Sequence, residues 1–173
     1  MIPLSVPNLK GNELVYLKEC VKTEYVSSVG KYVSLFEKKI CRFTGSKYAV
    51  ACSSGTAALQ LALRVVGVKE NDEVIIPTMS FIATANAAIY LKAKPIFMDC
   101  DDFYNLDIKK LVSFIKNRTH FKNGFTFNKK TNRKITAIMP VHVSGNAVDL
   151  FSLIRLCKKR KIKIVEDAAE AVG

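Results

Sequence analysis

The sequence predicts an α/β fold, a three-layer α/β/α arrangement in which a largely parallel sheet carries helices on both faces. Three observations lead there. Helical and strand-like patterns alternate along all 173 residues with short breaks. The strand-like runs are short and rich in β-branched residues, as in Val74-Ile75-Ile76 and Ile162-Lys163-Ile164-Val165. Several helix-like runs open on a residue able to cap them, namely Ser54, Asp107 and Asp149. Right-handed crossovers between successive strands of this kind bury both faces of a parallel sheet.

Taken in order, residues 12–23 read as a helix with Leu14, Leu17 and Val21 on one face. A loop around 25–30 leads to a second helix, with Val33, Phe36 and Ile40, that reaches about Phe43. Residues 48–52 form a short predicted strand, after which Ser54 caps a helix running through Leu59, Leu61 and Leu63 to the neighbourhood of Gly67. Next come a strand at 73–77, a helix at 81–91 and a strand at 94–99. Asp107 caps a helix to about Lys116, and the polar, aromatic-dotted insertion 119–133 is predicted to be a hairpin. A strand at 134–141, a helix from Asp149 to about Arg160 and a last strand at 162–165 complete the pattern.

Composition narrows the class. Hydrophobic residues make up 49% and charged residues 24%, with 8 Gly and 5 Pro, the profile of a folded protein instead of a disordered one. No basic-then-apolar leader opens the chain and no apolar stretch would span a bilayer. The five cysteines (Cys20, Cys41, Cys52, Cys100, Cys157) are odd in number and scattered, so neither a disulfide framework nor a metal site is expected, and reduced thiols in the cytoplasm are. The net charge of +12 is uneven: residues 1–104 hold 12 basic and 10 acidic side chains, residues 105–173 hold 15 and 5. A nucleic-acid surface is one reading of that excess. Against it, Lys158-Lys159-Arg160-Lys161 ends a predicted helix, where cations favour the dipole and lie in water, and the run lacks interleaved aromatics to stack on bases.

Three constellations could carry chemistry. Ser53-Ser54-Gly55-Thr56-Ala57-Ala58-Leu59 is a strand-to-helix turn, whose unpaired N–H groups and partial positive charge suit a phosphate. Gly55 lets the backbone approach the anion, and Ser54 and Thr56 can add hydroxyl donors; the plain alternative is an ordinary Ser cap. In Pro77-Thr78-Met79-Ser80-Phe81-Ile82-Ala83-Thr84-Ala85-Asn86-Ala87, Phe81 begins a helix at the same sheet edge, where its ring could stack on a planar cofactor or simply belong to the core. Glu166-Asp167 ends the last strand, and an Asp there can hold a protonated ring nitrogen or serve as a salt bridge or cap. Phosphate cup, stacking aromatic and carboxylate at one sheet edge together describe a site for pyridoxal phosphate (PLP).

On these residues the sequence resembles the DegT/StrS-like PLP-dependent sugar aminotransferases, and within them the LegC branch of nucleotide-sugar pathways. The resemblance runs from Ile2 to Gly173 and rests on residues 4–13 (LSVPNLKGNE), 26–31 (VSSVGK), 55–59 (GTAAL), 72–78 (DEVIIPT), 141–146 (VHVSGN) and 166–170 (EDAAE). It implies the fold type I, aspartate-aminotransferase-like large domain, here incomplete, and a homodimer when whole. Residues 1–45 would form a helical segment with a nucleotide-sugar-binding loop, and 46–173 part of the PLP-binding large domain, the remainder and the small domain being absent. Carried over, Ser54, Gly55 and Thr56 would hold the cofactor phosphate, Phe81 would stack on its ring and Asp167 would pair with its nitrogen. Glu170 stands where many relatives have a Gln against the ring's 3-oxygen, an exchange that requires a proton to make a hydrogen bond. Tyr25, Ser27 and Ser28 align with the substrate-binding segment, and His142 is expected to be structural.

The resemblance further implies amino transfer, from glutamate, to a UDP-linked 4-keto-6-deoxy sugar of polysaccharide biosynthesis. The Schiff-base lysine would lie beyond Gly173, so the expected state of these residues is an N-terminal portion inactive alone. A non-catalytic product of a split or decayed gene, or half of a two-chain enzyme, is the alternative, and a basic nucleic-acid-binding domain a remote one.

Overall fold

The computed structural model describes residues 2–3 and 6–172. Leu4 and Ser5, which open the first of the matching stretches, lie outside the described residues, as do Met1 and Gly173. The chain divides into two compact units, residues 1–51 and 52–173.

The first unit holds helices α1 (Glu13–Lys22) and α2 (Lys31–Thr44). Both carry an apolar stripe, yet neither has a buried side chain: Leu14, Leu17 and Val21 of α1 and Phe36 of α2 are all exposed. Polar contacts tie the helices together. The Glu19 carboxylate accepts from the Tyr32 hydroxyl at 2.6 Å and from the Lys31 ammonium, and the rings of Tyr16 and Tyr32 lie 4.8 Å apart. Donation by Lys31 holds Glu19 below its usual value, and donation to Glu19 pushes the Tyr32 hydroxyl up to about 12. Residues 48–52, expected as a strand, form none. A strand exists through a ladder of pairing, and Tyr48 and Val50 are exposed.

The second unit is the sheet. Helix α3 (Gly55–Val65) precedes strand β1 (Glu73–Pro77); α4 (Ile82–Tyr90), β2 (Lys94–Met98) and α5 (Ile108–Arg118) follow. The hairpin is present as β3 (Thr119–Lys122) and β4 (Phe125–Asn128), turning at Asn123 and Gly124, both with positive φ. Strand β5 (Lys134–Ile138), helix α6 (Leu150–Arg160) and the two-residue β6 (Lys163–Ile164) complete it. The six strands form one mixed sheet in the order β2-β1-β5-β4-β3, with β6 also on β5. β1, β2, β5 and β6 are parallel, whereas the hairpin adds antiparallel to the lower half of β5 and leaves its upper half to β6.

Each sheet face has its own core. Val74 and Ile76 point to one side with Leu59, Leu63, Ala85 and Ala88 of α3 and α4; Ile75 points to the other with Leu111, Ile115, Leu153 and Cys157 of α5 and α6. That alternation is the period of two. In β5 it is broken, because Ile135 and Ile138 share a face. The cause is a bulge: Glu73 pairs with Ile135 but Val74 with Ala137, so one extra residue, Thr136, enters the ladder. Its hydroxyl donates to Asp72 at 2.6 Å. Just below, buried Glu73 accepts from Asn128 at 2.9 Å and Thr131 at 2.7 Å, fastening the hairpin to the central strand. Burial pushes the Cys157 thiol up to about 12. Ser54, Asp107 and Asp149 cap their helices as expected, accepting from the N–H groups of Ala57, Lys110 and Ser152. Lys158 and Lys159 end α6 in solvent.

Candidate active site

Parallel strands point their C-terminal ends one way, and the loops that follow β1, β5 and β6 meet there. A cavity of about 530 Å³ opens at that edge, lined by Gly55, Thr56, Met79, Ser80, Phe81, Val141, Val143, Asp167, Ala169 and Glu170 among others. Five of the six residues expected around the cofactor thus line one space. The sixth, Ser54, stands just behind it: its hydroxyl accepts from the Ala57 N–H at 3.2 Å and its carbonyl from Ala58. The N–H groups of Gly55 and Thr56 are left with no intrahelical acceptor at the cavity wall. A Cβ placed on Gly55 would meet no atom within 4 Å, so the ground before the helix end is open to an anion.

Phe81 is 80% exposed and therefore not part of the core. It is the N-cap residue of α4, with extended backbone, and its ring lies against the cavity. Asp167 is different, being only 9% exposed. An isolated parallel bridge to Val141 continues the sheet past β6: the Asp167 N–H donates to Pro140 O at 2.9 Å and the His142 N–H to Asp167 O at 3.2 Å. One carboxylate oxygen, Oδ2, accepts from the Thr84 hydroxyl at 2.7 Å, and Oδ1 from the Ala169 N–H at 3.4 Å.

The far wall is a short 3-10 turn, Val143–Gly145. Ser144 takes the left-handed conformation (φ 53°), uncommon for a side-chain-bearing residue, and its N–H donates to the Glu170 carboxylate at 2.6 Å. Gly145 is also left-handed, and a Cβ there would approach Glu170 O to 3.2 Å, so glycine suits both demands. Behind the turn His142 is buried. Its Nδ1 accepts from the Val148 N–H at 3.3 Å, which places the ring proton on Nε2, and Nε2 donates to Glu166 at 3.2 Å. The ring joins the turn to the strand end.

In the first unit, Tyr25 and Ser27 line a separate cavity of about 550 Å³ with Glu19, Gly30 and Lys31, while Ser28 is not among its lining residues. Ser80 and Thr84 carry site contacts that the sequence did not assign; four residues apart in one helical pattern, they were visible as a pair but without a partner. Among the described residues no group of three His, Cys, Asp or Glu could hold a metal, and no helix is long and apolar enough to cross a membrane.

A cavity of this size that offers a helix N-terminus, an exposed ring and a buried carboxylate fits a flat, phosphorylated, nitrogen-containing ring. The fold is that of the PLP-dependent aminotransferases, and here only part of their large domain is present. The chain is similar to an aminotransferase from Psychrobacter cryohalolentis, with a TM-score of 0.82 at 26% identity over 99% of this chain and 40% of that one. NtdA from Bacillus subtilis, solved with bound cofactor PMP, gives 0.78 at 29% identity over 92% and 33%. The chain belongs to the DegT/DnrJ/EryC1/StrS aminotransferase family, which matches residues 7–173. It is 39% identical over 173 residues to GDP-perosamine synthase from Caulobacter vibrioides, covering 99% of this chain and 42% of that protein. The chain therefore spans less than half the length of that relative. Pyridoxal phosphate is the cofactor of the family.

Proposed function

We propose that these residues form the phosphate and ring-nitrogen side of a PLP-dependent aminotransferase that acts on a nucleotide-linked keto sugar in polysaccharide biosynthesis. The observation that carries the reading is the cavity shared by Gly55, Thr56, Phe81 and Asp167. Pyridoxal phosphate, when bound, would carry the amino group between donor and acceptor and supply the electron sink for the proton transfers at carbon. The chain's own residues do the rest. The N–H groups of Gly55 and Thr56, on the helix that Ser54 caps, hold the phosphate dianion. Phe81 covers one face of the ring and excludes water there. Asp167 keeps a proton on the ring nitrogen through a charge-assisted hydrogen bond. Glu170, at the 3-oxygen side, holds the Ser144 turn in place. Tyr25, Ser27 and Ser28 belong to the segment that receives the nucleotide sugar.

Among the described residues no lysine lines the cavity. A transaminase needs one to carry the cofactor and move protons, so residues 1–173 are inactive alone. In this reading the working enzyme is cytoplasmic and a homodimer. The LegC branch, glutamate as donor and a UDP-linked 4-keto-6-deoxy acceptor come from the sequence resemblance; the name of the Caulobacter relative points to GDP. The test is a chimera in which residues 1–173 replace the matching 42% of that relative. With PLP and glutamate it is expected to aminate a UDP- or a GDP-linked 4-keto-6-deoxy sugar, the preferred nucleotide settling the branch. A folded chimera that binds PLP and aminates neither overturns the proposal. Turnover by residues 1–173 alone contradicts their inactivity and favours a site with a different amine.

A further inference from the structure

Ser80 and Thr84 stand one helical turn apart where the chain enters α4. Thr84 is completely buried and Ser80 lies on the cavity wall. A threonine inside a helix ordinarily returns its hydroxyl to the carbonyl four residues back. Thr84 sends it instead to Asp167 Oδ2 at 2.7 Å, a partner 83 residues away in sequence. A hydroxyl has one proton, and a carboxylate only accepts, so the Thr84 proton is committed to Asp167. The close contact between the Ser80 and Thr84 hydroxyls must then use the Ser80 proton. The Phe81 carbonyl, at 3.1 Å, is the more distant acceptor of the same Ser80 proton and also accepts from the Thr84 N–H. The direction of the chain is fixed: Ser80 to Thr84 to Asp167.

The placement matters because α4 also carries Phe81 as its N-cap residue. The ring that would stack on the cofactor and the hydroxyl that holds the carboxylate are three residues apart on one helix. Thr84 is β-branched and stiff at χ1, and its helix is packed through Ala85, Ala87 and Ala88 into the core beside β1. It can therefore fix the carboxylate relative to the stacking ring within the tolerance that a cofactor site needs.

We propose that Ser80 and Thr84 are positioning residues, a hydroxyl relay that would hold the Asp167 carboxylate towards the cofactor's ring nitrogen; the inference rests on the assignment of Asp167 to that nitrogen. The relay fills Oδ2 from behind and leaves the Asp167 carboxylate to present its remaining lone pairs to the cavity. A structural role in α4 alone would make no such demand, since a buried valine would fill the same volume.

Pyridoxamine phosphate (PMP) labelled with 15N in its ring, bound to the 173-residue chain, reads the relay directly. Affinity is measured by titration, and the ring 15N shift reports whether that nitrogen is protonated. Thr84→Val is expected to weaken PMP binding by roughly tenfold or more and to move the ring signal towards its unprotonated position, because the carboxylate loses the hydroxyl that aims it at the nitrogen. Thr84→Ser is expected to restore both. Ser80→Ala, at the cavity wall and outside the core, should shift the signal the same way by a smaller amount and keeps the test usable if Thr84→Val does not fold. Parental affinity and ring signal in Thr84→Val, or in Ser80→Ala where that variant stands in, overturn the relay. Asp167→Asn separates the two claims. Loss of ring protonation there but not in Thr84→Val overturns the relay and leaves Asp167 at the nitrogen, whereas no change in either overturns both.

Discussion

The two units use similar sequence signals to different effect. In residues 52–173, helix stripes such as Leu59 and Leu63 meet a sheet and become fully or nearly inaccessible. In residues 1–51, an equally regular stripe, Leu14, Leu17 and Val21, stays in water, and no side chain of α1 or α2 is buried. Period alone makes a helix amphipathic; it does not supply the surface that rewards the pattern. The sheet unit holds a two-sided core and, at its edge, a cavity whose walls are fixed by buried hydrogen bonds. The helical unit is tied by Glu19, Lys31 and Tyr32 at its surface, where such contacts are weak.

Substitutions that truncate one leucine in each unit give the largest contrast. Leu63→Ala removes a side chain with no exposed surface and is expected to cost about 2–5 kcal/mol of unfolding free energy in denaturant titration. Leu17→Ala, 62% exposed, is expected to change it by less than about 0.5 kcal/mol. Equal losses would break the comparison. Smaller is the cap at the cavity. Ser54→Ala is expected to cost about 1 kcal/mol and Ser54→Gly only a few tenths, by the same titration, because glycine is itself a tolerable cap.

The smallest effect is one of pH. The Ser152 hydrogen bonds hold the Asp149 carboxyl below its ordinary value, so its contribution to α6 is complete above the unfolded value near 3.8 and fades as pH falls through the lower folded one. Asp149→Asn should flatten that acid limb in melting curves recorded between about pH 2 and 5, by lowering stability at neutral pH while leaving the acid end little changed. A limb unaltered by the substitution would move the acid sensitivity to other carboxylates.

Much of this was legible locally. Strand β1 has the bounds its β-branched run predicts, and the three caps follow from single residues at helix starts. The segment 48–52 was not, since a strand-like composition says nothing about whether a ladder forms. The bulge that inserts Thr136 was invisible for the same reason. At the site, Gly55 and Phe81 could be named because each stands at a helix start, and Asp167 because it follows a strand, all at one sheet edge. The hold of Thr84 on Asp167 and of His142 on Glu166 spans 83 and 24 residues, and only the folded sheet brings those partners together.

The central claim is that one cavity at the sheet edge is built for the cofactor. PMP tests it most directly, because it lacks the aldehyde that would react with the chain's many surface amines. The 173-residue chain is expected to bind PMP saturably, with affinity falling in Asp167→Asn and in Phe81→Ala while the melting temperature of Phe81→Ala, an exposed side chain, holds. Binding that is absent, or indifferent to both substitutions, contradicts the account.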